Sequence, residues 1–92
     1  MTRFTWSEAK CRENIRKHGI DFADIPAVFS GFTLTYEDRR FSYEDQRFIT
    51  IGLLRETVVL IAHSESAKAI RIIHARKASK ATAKRYFERF SD

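Results

Sequence analysis

Apolar residues in this chain follow two periods, and the switch between them lays out the elements. Phe22, Ile25, Val28 and Phe29 recur at three and four residues, as do Ala83, Tyr86, Phe87 and Phe90, so each set predicts one face of a helix. Ahead of them, Ser7 reads as an N-cap with Glu8 in the first turn, and Gly19 supplies the left-handed residue that ends a helix near His18. Its apolar stripe is thin, mainly Cys11 and Ile15. Trp6 with Cys11, and Ile20 with Ile25, are spaced as hydrophobic staples around the caps Ser7 and Asp21. Pro26 falls past the first turn of the second helix, where it removes a backbone bond, so that helix is short and ends near Ser30-Gly31.

The second period is two. Residues 33–36 are β-branched and aromatic, and 46–54 alternate, with Arg47, Ile49, Ile51 and Leu53 on one side. The run 57–64 is strongly apolar, through Val58, Val59, Leu60, Ile61 and Ala62, as expected for a central strand covered on both faces. Residues 69–78 follow after a short turn and end in a basic cluster. By alternation, Ile72, His74 and Arg76 share one face of that strand and Arg71, Ile73 and Ala75 the other. Residues 37–45 are polar, without apolar periodicity, and read as a loop. Phe4-Thr5-Trp6 is a brief strand or an extended anchor. Short connections favour an antiparallel meander. The expected architecture is α+β: two N-terminal helices on a four-stranded, mainly antiparallel sheet, then a C-terminal helix, all in one domain of 92 residues.

Charge sharpens this picture. Residues 68–92 carry eight Lys or Arg against two acids, whereas 1–67 carry nine against ten. The net +5 is therefore concentrated in the last strand and helix, the footprint of a nucleic-acid binder. The lone Cys11 forms no internal disulfide and excludes a Cys-based structural zinc site, which suits a reducing cytoplasm. No apolar run spans a bilayer, and charges at Arg3, Glu8, Lys10, Arg12 and Glu13 interrupt any secretory h-region. With three Gly there is no phosphate loop, no carboxylate pair has metal-ligand spacing, and no cofactor is expected.

Cleaving RNA without a metal needs a base for the 2′-OH, a cation for the phosphorane and an acid for the leaving 5′ oxygen. Arg71, Arg76 and Lys77 are candidate phosphate clamps, and His63, Glu65 or His74 candidate proton carriers. His63 and His74 sit at the C-terminal ends of neighbouring antiparallel strands, which places them apart. His18, at the junction of the first two helices, reads as a capping or packing residue. Lys80 and Lys84 lie on the basic face of the last helix, which reads first as a solvated surface.

Several stretches together resemble the BrnT family of type II toxin–antitoxin systems. They are Phe4-Thr5-Trp6, Asn14-Ile15-Arg16-Lys17-His18-Gly19-Ile20-Asp21-Phe22, Glu44-Asp45-Gln46-Arg47-Phe48-Ile49-Thr50-Ile51-Gly52, His63-Ser64-Glu65 and Ile70-Arg71-Ile72-Ile73-His74-Ala75-Arg76-Lys77-Ala78. The chain departs from the family pattern at Ser7-Glu8, Pro26 and His74. The resemblance implies a RelE-like fold, a cytoplasmic ribonuclease that arrests translation, and a hetero-oligomer with a BrnA-like antitoxin through which the complex binds operator DNA. On this reading the catalytic residues are His63, Glu65, Arg71 and Arg76, and Arg47, His74, Lys77, Lys80 and Lys84 contact RNA. The alternative is a nucleic-acid-binding domain without catalysis, which would show salt-sensitive binding and no product.

Overall fold

The computed structural model describes residues 2–40, 42 and 45–91. Its strands are β1 (Arg3–Thr5), β2 (Leu34–Glu37), β3 (Arg47–Leu54), β4 (Thr57–Glu65) and β5 (Ala69–Lys77). Its α-helices are α1 (Glu8–His18), α2 (Ile25–Phe29) and α3 (Lys80–Phe90). The strands form one sheet in the order β1-β5-β4-β3-β2. The meander from β2 to β5 is antiparallel, as expected. The sheet has five strands, not four, because Arg3–Thr5 pairs parallel with the start of β5. Three residues carry too little periodicity to separate a strand from an extended anchor, and only the partner decides. Phe41, Tyr43 and Glu44 of the expected loop 37–45 lie outside the described residues, and Glu37 belongs to β2.

Each face of the sheet has its own core. Val59, Ile61, Ile72 and Ala75 pack with Cys11, Phe22, Ile25 and Val28 under α1 and α2. Ile49, Ile51, Val58 and Ala62 pack with Tyr86 of α3 on the other side. β4 is thus apolar from Val58 to Ala62, where both its faces are covered. Gly52 in β3 marks a close approach: a Cβ there would stand 2.5 Å from Cγ1 of Val28, so only glycine lets α2 lie against the strand.

The helices follow their caps. Ser7 Oγ accepts the Lys10 N–H, and Gly19 closes α1 at φ 69° with its N–H on the Ile15 carbonyl. Asp21 caps a 3₁₀ turn, Phe22–Asp24, and not an α-helix. Pro26 explains the break: without an N–H it cannot continue the hydrogen bonding of that turn. The α-helix restarts at Ile25, and Pro26 falls within its first turn, where a missing donor is tolerated. Ile15 is 43% exposed and is not part of the stripe. Its place in the buried face goes to Asn14, only 4% exposed. The Asn14 amide donates to the Ile20 carbonyl at 2.9 Å, and its oxygen accepts the Ala75 N–H at 3.0 Å.

Asn14→Ala leaves a buried donor and a buried acceptor unpaired, a loss of about 2–4 kcal/mol. A fall of that size in urea-unfolding stability is the expected result. Asn14→Asp keeps an acceptor for Ala75 but no donor for Ile20, and should fall between the two.

Candidate active site

A bulge in β5 sets the site. His63 pairs with Ile72 and Ala62 with His74, so Ile73 is an extra residue opposite β4. The alternation read from sequence therefore fails beyond Ile72. Ile72 and Ala75 enter the same core under α1, while Ile73 packs toward the α3 side. His74 and Arg76 are displaced to the rim. β1 ends at Thr5, opposite Arg71, so the rest of β5 is an uncovered edge except where α1 lies beside it. His74 and Arg76 line two cavities there. One, of about 420 Å³, lies on the α3 side with Tyr36, Asp38, Arg39 and Arg40. The other, of about 320 Å³, lies on the α1 side with Lys10, Lys17 and His18. The two share His74 and Arg76 as a common wall at the edge of the sheet.

Carboxylates set out the arginines of the β2–β3 segment. Asp38, nearly buried, takes Nε and Nη2 of Arg40 on its two oxygens, both at 2.9 Å. Glu37 holds Nε of Arg39 at 2.8 Å and Gln46 at 3.1 Å, contacts that keep its carboxyl below the usual range, Gln46 contributing most. Arg76 has no acidic partner among the described residues. Burial pushes the His74 imidazole down, and the charges of Arg76, His18 and Arg40 push it the same way against Asp38. A neutral imidazole beside a free guanidinium combines a proton acceptor with an oxyanion clamp.

The other candidates do not converge on this groove. His63 is 1% exposed, wedged between Phe29 and Phe48 on the face away from α3. Its Nε2 meets Thr50 Oγ1 at 2.7 Å, which meets Thr35 Oγ1 at 2.7 Å. Its Nδ1 has no hydrogen bond, with Glu65 3.9 Å away. Burial takes its pKa down to about 4. His63, expected with Glu65 as a possible base, thus sits in a buried site of its own, away from the cavities at Arg76. The two histidines are near neighbours across β4 and β5, contrary to the inference from strand ends, and it is the sheet's two faces that separate them. Arg71 and Glu65 share a third cavity, of about 490 Å³, at the far end of β5. Arg47 is half-buried and pairs in register with Ser64, as Arg71 does. Lys77 points into a recess beside His18 and Arg55. Lys80 and Lys84 each stand two residues from Thr82, which lines the α3-side cavity, and so lie about 160° around the helix from it.

Sequence reasoning missed Lys10, Lys17, Arg39 and Arg40, because the charge balance of 1–67 conceals cations that the fold brings to one edge. His18, read as structural, lies in the groove. The adjacent pair Arg39-Arg40 in a polar segment between strands was the available signal. Among the described residues no three His, Cys, Asp or Glu gather to hold a metal, and no helix is long and apolar enough to cross a membrane.

A small α+β fold with a basic groove carrying histidine and arginine belongs with proteins that handle polyanions. The comparisons go further. The family model for the ribonuclease toxin BrnT of type II toxin–antitoxin systems matches residues 6–81, and the chain belongs to that family. The chain is also similar to the crystal structure of the Brucella abortus ribonuclease toxin BrnT, at 26% identity and a TM-score of 0.68. That match covers 87% of this chain and all of the other. No curated protein matches. Membership of a type II toxin family implies a protein antitoxin as partner.

The buried His63 gives a pH prediction. Its folded pKa of about 4 lies below the ordinary histidine value of 6.5, so the unfolded chain takes up the proton first as pH falls. Stability should fall from about pH 6.5 down to 4, by up to about 3 kcal/mol from this group alone. Urea midpoints of the wild type and His63→Leu across that range measure its share. The variant should show a shallower fall.

Proposed function

We propose that this protein is a metal-independent endoribonuclease toxin that cuts RNA in the groove over His74 and Arg76, and that a BrnA-like antitoxin neutralises it. The observation that carries this reading is the half-buried, cation-flanked His74 beside an Arg76 with no acidic partner among the described residues, at an open sheet edge. His74 Nδ1 or Nε2 takes the proton of the ribose 2′-OH, which attacks the adjacent phosphorus. Arg76, with Arg40 across the cavity, stabilises the charge that builds on the phosphorane. The 5′ oxygen leaves with a proton, for which His18 on the α1 side of the groove is placed. Each step uses side chains of this chain, and the products are a 2′,3′-cyclic phosphate and a 5′-OH.

A second reading puts the cut at the far end of β5. There Glu65 and Arg71 share a cavity with Gln46, and Glu65 stands 3.9 Å from His63. His63 would then polarise Glu65 from behind, and Arg71 would hold the phosphate.

Purified protein and a short RNA in EDTA separate these readings. On the first, cleavage persists and yields the cyclic phosphate. His74→Ala then loses about 10²–10⁴-fold and Arg76→Ala about 10²–10³-fold. Arg71→Ala and Glu65→Gln stay near wild type. The reverse pattern selects the second reading, and no product from folded wild type removes both. The lowered His74 pKa also sets the acid limb of the profile, which should lie below an ordinary histidine titration.

A further inference from the structure

The α1-side cavity shares His74 and Arg76 with the α3-side one and adds His18, Lys10 and Lys17 to them. Lys10 and Lys17 both line it, seven residues apart and therefore on one side of α1, about 10 Å apart along its axis. Lys10 has no acidic partner among the described residues, and Lys17 shares Glu13 with Arg16 at 3.4 Å. Those two cations keep the Glu13 carboxyl near 2, Arg16 contributing most, and they offset its charge. The wall is rigid, because Asn14 fastens α1 to the edge of β5 between the two lysines. Glu13 also lines the cavity, so Lys10 and Lys17 leave it net positive beside His74 and Arg76, and it is of a size to take one ligand group.

We propose that this cavity is a second phosphate-binding subsite, with Lys10 and Lys17 as its cations, for the RNA strand that passes over the sheet edge out of the cleavage groove. It rests on the reading of the groove as an RNA-cleaving site. The substrate is then a single strand bound on both sides of β5, and affinity grows with length until both cavities are filled.

Fluorescence anisotropy of the full chain with 2′-O-methyl oligonucleotides of two, four and six nucleotides tests this, since they lack the attacking hydroxyl. Wild type should bind the longer strands about tenfold more tightly than the dinucleotide, and Lys10→Ala/Lys17→Ala should lose that gain. Its salt slope on the longer strands should fall by about 1.4, as for two phosphates on a single strand. Lys10→Arg/Lys17→Arg should restore both. Arg12→Ala/Lys68→Ala removes two exposed cations outside both cavities and should keep the length dependence. A Lys10/Lys17 variant with the wild-type gain, or an equal loss in the Arg12/Lys68 variant, overturns the subsite. Cleavage of an all-ribose strand by wild type is scored separately, so failure of the cutting reading and failure of the subsite give different results.

Discussion

The hydrogen bond from the Ala75 N–H to the Asn14 side chain joins residues 61 apart in sequence, and the geometry of the site depends on it. β1 covers only the first three residues of β5, which leaves the rest of that strand with outward N–H groups and no strand to receive them. Ala75 is fully buried, so its N–H cannot turn to water. Asn14 satisfies it from a helix, and its own amide is anchored on the Ile20 carbonyl beyond the α1 cap. α1 is held alongside the edge without becoming part of the sheet. The space left between them is one half of the groove.

The bulge at Ile73 supplies the other condition. A regular strand would have put His74 and Ile72 on one face, and the imidazole into the core under α1. One extra residue moves Ala75 into that core and leaves His74 and Arg76 at the rim, open to both sides. Burial and the neighbouring cations then keep His74 neutral, while Asp38 and Glu37 set Arg40 and Arg39 across the cavity. A departure from ideal pairing is what brings His74 and Arg76 together at the rim.

Much of this was legible in the sequence. Caps, the glycine stop, the apolar central run and the basic end of β5 report their own conformations through local chemistry. The family resemblance was carried by the same stretches. A bulge leaves no mark in the alternation of Ile72, Ile73 and His74, since two isoleucines suit either face. Asn14 reads as an ordinary polar helix residue until its partner in β5 is known. His63 looked available because nothing local shows that Phe29 and Phe48 close over it. Net charge by segment pointed to the C-terminal third, while the fold draws Lys10, Lys17, Arg39 and Arg40 to the same edge.

If RNA lies across the rim at His74, its binding must disturb that edge of β5 first. The most direct measurement is an NMR titration of the histidine ring and arginine side-chain signals with a non-cleavable single-stranded RNA. The His74 and Arg76 signals should move together at low salt while His63 stays still. Movement confined to Arg71 and its neighbours at the far end of β5, with His74 unchanged, would contradict it.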